Sequence, residues 1–177
     1  MKKCLIVVDY QTDFVVGSLG FSEALDLEHK IADKIAKYHQ NNDDVIFTLD
    51  THSENYMNTQ EGLNLPIAHC IKGTDGHSLY GEVKKQQKSS DICIEKNTFG
   101  ASGLFSFLQN KNYESIEIVG VVSNICVISN AVICKTALPE VPVYVDISCI
   151  ASPNQEQHNA ALSVLKSIQI NLIGKED

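Results

Sequence analysis

Tryptophan is absent from this 177-residue chain, and basic residues are few: 14 Lys and Arg stand against 22 Asp and Glu, a formal net charge of −8. Without Trp, any stacking on a flat ligand falls to Phe and Tyr, of which there are six each. The scarce cationic residues are also dispersed, which excludes partners that demand a basic patch, namely nucleic acid and anionic membrane surfaces. The opening apolar run, Cys4 to Val8, stops at Asp9, too soon for a signal-peptide core or a membrane span. Six cysteines (Cys4, Cys70, Cys93, Cys126, Cys134 and Cys149) contain no CxxC pair. With no export signal they read as free thiols, and the expected location is the cytoplasm. Repeats, low-complexity tracts and linkers are lacking too, so residues 1–177 are expected to form one domain.

What is present is an alternation of strand and helix signals. Cys4 to Val8 is continuously apolar and rich in β-branched residues, the pattern of a strand buried on both faces of a parallel sheet. Residues 23–40 place Ala24, Leu27, Ile31, Ile35 and Tyr38 at three- and four-residue steps, the stripe of a helix laid on a sheet. Residues 45–49 read as a second strand ending on Asp50. Residues 51–76 form a polar segment with little periodicity, and loops of that length are usually functional. The remaining pattern predicts a helix at 78–88, a strand at 91–95 ending at Lys96, a helix at 103–110 and a strand at 116–121. A helix at 124–138 and a strand at 141–145 follow, with Pro142 near the strand start. A last helix runs to about 168, with Ser152 as its cap and Pro153 in its first turn, before a strand at 169–173. This order predicts an α/β fold: three layers, α/β/α, around a mostly parallel six-stranded sheet.

Open parallel sheets bind ligands outside the carboxyl ends of their strands. Asp9, Asp50, Lys96 and Cys126 each lie at or just past such an end. Cys126, in Gly120-Val121-Val122-Ser123-Asn124-Ile125-Cys126-Val127, is placed in the first turn of a helix, where the helix dipole is expected to lower its thiol pKa. That makes it a candidate nucleophile, set against the plain alternative of a buried structural cysteine. Asp9, at the join of a buried strand and a loop, suits a general acid or base, or else a carboxylate that ties a loop. Lys96 would set an ammonium beside both, unless it is a surface lysine. In the long segment, Asp50 and His52 are two apart and so point the same way in extended chain, while His69 returns from the far side and Glu61 offers a further carboxylate. Two imidazoles and one or two carboxylates suit Zn²⁺, Fe²⁺ or Mn²⁺. Solvated loop histidines are the alternative. His29, His39, His77 and His158 read as helix-surface residues without a role.

The motifs Val8-Asp9-Tyr10-Gln11-Thr12-Asp13-Phe14, Asp50-Thr51-His52, His69-Cys70-Ile71-Lys72-Gly73-Thr74, Glu95-Lys96-Asn97-Thr98-Phe99 and Gly120 to Val127 together resemble the nicotinamidases of the isochorismatase-like cysteine hydrolase superfamily. The match runs in order over almost the whole chain. This resemblance implies a Rossmann-like fold, a triad of Cys126, Asp9 and Lys96, and a divalent ion on Asp50, His52 and His69, Zn²⁺ first with Fe²⁺ and Mn²⁺ as alternatives. Glu61 would be a further ligand by the same analogy. It implies a cis peptide at Val121-Val122 that turns the Val122 N–H, with that of Cys126, toward an oxyanion. The substrate would be nicotinamide, deamidated through a thioester in NAD salvage, with Phe14, Leu65 and Phe99 near the ring, and the protein a homo-oligomer, a dimer or tetramer. The sequence departs from the pattern in three places: Leu65 and Pro66 stand where a Trp is common, Ser53-Glu54-Asn55-Tyr56 lacks the usual Pro and second Asp-His pair, and Ser123 replaces a common Thr. Two other readings compete: a relative acting on a carbamoyl or ureido compound, and a non-catalytic α/β binding module.

Overall fold

The protein is described here by a computed structural model covering residues 1–174. Six strands, β1 (Lys2–Val8), β2 (Asp44–Asp50), β3 (Ile92–Lys96), β4 (Tyr113–Val121), β5 (Val143–Ala151) and β6 (Asn171–Ile173), pair in the order β3-β2-β1-β4-β5-β6, all parallel. Among the described residues eight α-helices connect them: α1 (Thr12–Val15), α2 (Ser22–Leu25), α3 (Glu28–Gln40), α4 (Gln60–Asn64), α5 (Gly81–Gln86), α6 (Ser102–Leu108), α7 (Ile128–Ala137) and α8 (Gln155–Ser167). The expected three-layer α/β/α architecture is thus found.

Strand alternation splits the core in two. Cys4, Ile6 and Val8 pack with residues of α6, α7 and α8, while Leu5 and Val7 pack beneath Ile31 and Ile35 of α3. Burial on both faces explains why β1 is apolar throughout rather than alternating. The order reverses between β1 and β4, and at that switch point the chain leaves both strands to opposite sides, opening a crevice. Gly120 adopts φ +114°, and a Cβ there would collide with the Val8 carbonyl oxygen. Only glycine lets the end of β4 lie so close against β1.

Several local expectations are corrected. The stripe at 23–40 is two helices, broken between Leu25 and Glu28. The long segment is not structureless: it holds α4 and 3₁₀ turns at Tyr56–Asn58 and Asp75–His77. Strand β5 runs six residues past the expected end, beyond a register shift against β4. Helix α8 begins at Gln155, and its cap is Asn154, whose side chain accepts from Gln157 N–H, so Pro153 precedes the helix and Ser152 does not cap it.

Candidate active site

Asp9, Asp50, Lys96 and Cys126 come from the ends of four adjacent strands and meet at the switch point. Lys96, the last residue of β3, has its side chain 2% exposed. Its Nζ lies 2.7 Å from Asp9 Oδ2, 3.0 Å from Asp50 Oδ1 and 3.6 Å from Cys126 Sγ, and donates to Thr98 O at 2.9 Å. Asp9 is fully buried. Its Oδ1 accepts from Thr48 Oγ1 at 2.6 Å, its Oδ2 faces the Lys96 ammonium at 2.7 Å, and the carboxylate is within hydrogen-bonding reach of the Cys126 thiol.

Electrostatics in this group set the resting protonation states. Burial pushes the Asp9 pKa up, and Asp50 adds to that, although Lys96 and Thr48 oppose it. Burial works against the Lys96 ammonium, but Asp9, Cys126 and Asp50 outweigh it and keep the amine charged. The Cys126 thiol is pushed well up, by burial first and by the Asp9 charge, with Lys96 opposing. This overturns the expectation of a thiol lowered by the helix dipole. Cys126 lies two residues before α7, in a wide turn over Ser123–Val127. There Val127 N–H reaches back five residues to Val122 O at 3.2 Å, and burial without water dominates the thiol. Ionising the sulfur therefore needs a base beside it, and Asp9 is placed to be that base. The Val121-Val122 peptide is cis, as the resemblance implied.

Asp50, the last residue of β2, also faces a second cluster. One ligand atom each from Asp50, His52, Glu61 and His69 lies within 4.8 Å of all the others. His52 Nε2 is 2.9 Å and His69 Nε2 3.3 Å from Asp50 Oδ2, and Glu61 Oε1 is 3.8 and 3.7 Å from those two nitrogens. His69 Nδ1 sits 2.8 Å from Ile67 O, which can only accept. Nδ1 therefore carries a proton, and Nε2 faces the carboxylates. Protonated, Nε2 donates to Asp50; burial lowers the His69 pKa, but that bond and the nearby anionic charge outweigh burial and raise it. Deprotonated, the same nitrogen offers its lone pair, and the cluster becomes a donor set for a cation. The pair of imidazoles with two carboxylates fits a divalent ion of the Zn²⁺, Fe²⁺ or Mn²⁺ type. Asp50 feels burial first, but hydrogen bonds with His52 and His69 and the Lys96 charge hold its carboxyl well below the usual range. Short motifs brought these ligands together: Gln11 clips the end of β2 by accepting from Asp50 N–H and donating to Asp50 O. Tyr56 packs edge-on to both His52 and His69.

A cavity of about 230 Å³ opens onto both clusters. Phe14, Leu65 and Phe99 line it, together with Asp50, Glu61, His69, Val122 and Cys126. Leu19, Phe21, Ile125 and Pro153 complete an apolar wall that sequence reasoning did not assign. Phe14 stacks edge-on to His69 with ring centroids 5.5 Å apart.

The histidines left without a role divide. His39 contacts Asp91 and His77 contacts Thr51, and neither approaches the cavity. His158 corrects its assignment as a surface residue: it is 7% exposed and its Nδ1 lies 2.9 Å from Ser123 Oγ, at the start of the Cys126 turn. Thr48, Gln11, Tyr56, Asn130 and His158 were all missed; each acts through a contact distant in sequence, and only Gln11 lay inside a recognised motif.

Residues 3–177 match the family described as Isochorismatase domain, and the chain belongs to that family. A Bacillus subtilis (strain 168) relative, "Uncharacterized isochorismatase family protein PncA", is 32% identical over 174 residues, covering 92% of this chain and 93% of its own length. Among solved structures, nicotinamidase/pyrazinamidase PncA from Bacillus subtilis superposes with a TM-score of 0.87 at 27% identity, covering 99% of this chain and 100% of that one. Pyrazinamidase/nicotinamidase from Streptococcus mutans UA159 gives 0.86 at 29% identity, with 97% and 100% covered. The fold is shared as well with Pyrococcus horikoshii pyrazinamidase, solved in complex with zinc: TM-score 0.86, 23% identity, 99% and 100% covered.

Proposed function

We propose that this protein is a nicotinamidase, a cysteine amidohydrolase that converts nicotinamide to nicotinic acid and ammonia in NAD salvage. The observation that carries the reading is the meeting of Cys126, Lys96 and Asp9 with a four-donor cation site across one cavity. Relatives named nicotinamidase or pyrazinamidase at 27–29% identity over nearly the full chain support it. The cation site favours this substrate over a carbamoyl or ureido compound, which has no ring nitrogen to meet an ion.

Asp9 takes the Cys126 proton, and Lys96, held as an ammonium, faces the resulting thiolate at 3.6 Å. The sulfur bonds to the carboxamide carbon, and the carbonyl electron pair moves to oxygen. Backbone N–H groups of Val122 and Cys126 receive that oxyanion, and one such donor typically contributes about 3–4 kcal/mol to the barrier. Asp9 returns its proton to the nitrogen, the C–N bond breaks and ammonia leaves. Water then attacks the thioester as Asp9 accepts its proton, the C–S bond breaks, nicotinic acid departs, and Asp9 returns the proton to the Cys126 sulfur. A carboxylate whose pKa is raised is a stronger base than an ordinary one, which suits both proton transfers, each an effect of about 10²- to 10⁴-fold. When bound by Asp50, His52, Glu61 and His69, a divalent ion, Zn²⁺ in our reading, would supply an electrophilic anchor for the pyridine nitrogen. Phe14, Leu65 and Phe99 give the ring an apolar wall and exclude water from its faces.

The test is ammonia release from nicotinamide by the purified protein, beside Cys126→Ala and a chelated sample. Release that vanishes in the variant and falls on chelation supports the reading. Absence of release from nicotinamide by the metal-loaded wild type sinks it.

A further inference from the structure

Asn130 lies in the first turn of α7, four residues after Cys126, and is wholly buried in an otherwise apolar helix face. Its amide is spent on three backbone groups. Nδ2 donates to Cys126 O at 2.8 Å and to Phe99 O at 3.2 Å, and Oδ1 accepts from Ala101 N–H at 3.0 Å. Cys126 O belongs to the turn that carries the thiol. Phe99 and Ala101 belong to the loop that follows Lys96, whose own Nζ is fixed by Thr98 O in the same loop. One side chain therefore ties the backbone of the thiol to the backbone of the loop that holds the ammonium.

We propose that Asn130 is the positioning residue that sets Cys126 against Lys96, and that it does so through its bonds to the 99–101 loop. The inference rests on the reading of Cys126 and Lys96 as reaction partners. The wide turn departs from the usual helical ladder where Cys126 sits, the Val122 carbonyl accepting from both Ile125 N–H and Val127 N–H. A side chain from the next turn ties this irregular backbone to the 99–101 loop. Catalytic geometry is sensitive to about 1 Å of displacement, and such a shift can cost about 10²-fold in rate.

Two substitutions separate the parts of the tie. Asn130→Leu removes all three bonds at similar volume. Asn130→Thr keeps one, because a threonine hydroxyl in a helix donates to the carbonyl four residues back, here Cys126 O. Ser129 already does this to Ile125 O in the same helix, at 2.7 Å. The Thr variant thus loses only the loop bonds, and it remains the deciding protein where the Leu variant does not fold. The readouts are kcat and KM for nicotinamide with metal-loaded enzyme, and the rate of Cys126 alkylation by iodoacetamide, followed by peptide mapping because Cys93 is exposed and reacts too. Expected are a fall in kcat of about 10-fold for Thr and about 10²-fold for Leu, KM within about threefold of wild type, and slower alkylation of Cys126 alone in the same order. A residue with a merely structural role would lower the melting temperature while leaving kcat and the alkylation rate of the folded protein unchanged, and that result overturns the proposal. Because alkylation needs no substrate, the two failures are distinguishable. A wild type inert toward nicotinamide defeats the function, whereas Asn130→Thr alkylated at the wild-type rate defeats this inference.

Discussion

Two clusters of buried charge sit in this sheet, and they are built on opposite plans. On the α3 face, the Lys34 ammonium pairs with Glu117 Oε1 and lies 2.7 Å from Asp146 Oδ2. Tyr38 OH donates to Glu117 Oε2 at 2.6 Å, and Ser148 donates to Asp146 Oδ1 from both its N–H and its hydroxyl. Every carboxylate oxygen there has a donor, with Lys34 serving both carboxylates. At the rim, one ammonium, Lys96, is shared between Asp9, Asp50 and the reactive thiol of Cys126, and Asp9 faces that thiol as well. Asp50, His52, Glu61 and His69 set two ring nitrogens and two carboxylates around one point, a donor set that a divalent ion can hold in place of the ring protons. The difference teaches how a buried ionic cluster declares a site: the closed one satisfies itself, whereas the rim cluster leaves donors and acceptors for what enters the cavity beside it.

The comparison breaks most sharply through chemistry. Cys126→Ala and Asp9→Asn are each expected to lower kcat/KM for nicotinamide by about 10⁴-fold or more, as loss of a nucleophile or its base does in other covalent hydrolases. Lys34→Met should leave kcat/KM of the folded protein within about twofold. Initial-rate assays on the three proteins check this, and a tenfold loss in Lys34→Met would mean the two clusters are not separate. Stability reverses the ranking. Lys34→Met strands two buried carboxylates, and breaking such a group costs about 3–5 kcal/mol, read from denaturant midpoints. A cost below about 1 kcal/mol would show that water enters and solvates the pair.

Removing the cation sharpens the contrast from the other side. His69→Ala should cut the bound divalent ion to well below one per chain by elemental analysis, and turnover by about 10²-fold through lost ring orientation. Full activity in a metal-free preparation would defeat the role given to the Asp50, His52, Glu61 and His69 set.

Much of this was legible in the residues, for a physical reason. Parallel strands buried on both faces must be continuously apolar, so the ends of β1 and β2 are marked by the first charged residue after the apolar run, Asp9 and Asp50, whereas β3 is an edge strand with alternating burial that carries Glu95 before Lys96. The sheet then guarantees that strand ends converge. What stayed hidden are contacts whose partners lie far away in sequence. Asn130 looks like a misplaced polar residue in an apolar helix until the 99–101 loop is laid over it. His158 falls on a helix whose periodicity does not say that Ser123 waits beneath. The sign of the Cys126 shift was misread because helix position is local and visible, while burial of the sulfur and the nearness of Asp9 are not.

The smallest expected effect concerns pH, and here the two clusters titrate apart. Asp146 meets burial first, but hydrogen bonds from Lys34 and Ser148 and the Lys34 charge hold it below the usual carboxylate range. Lys34 is raised: burial opposes its charge, and Asp146 and Glu117 outweigh burial. A depressed carboxylate stabilises the fold fully above its unfolded pKa of about 3.9, and that stability is lost as pH falls through the lower folded value. A raised lysine stabilises fully below about 10.4, with the loss above it. Between these limits the closed cluster contributes a flat stability. Asp9 runs the other way, since burial lifts its pKa above about 3.9 and catalysis requires it ionised. As pH falls, kcat/KM should therefore fail first, at a pH above the ordinary carboxylate value, while the melting temperature still holds its plateau. Metal content measured in the same samples separates Asp9 protonation from loss of the ion. An acid limb that coincides with unfolding, or one that tracks metal release alone, would remove Asp9 from the role of base.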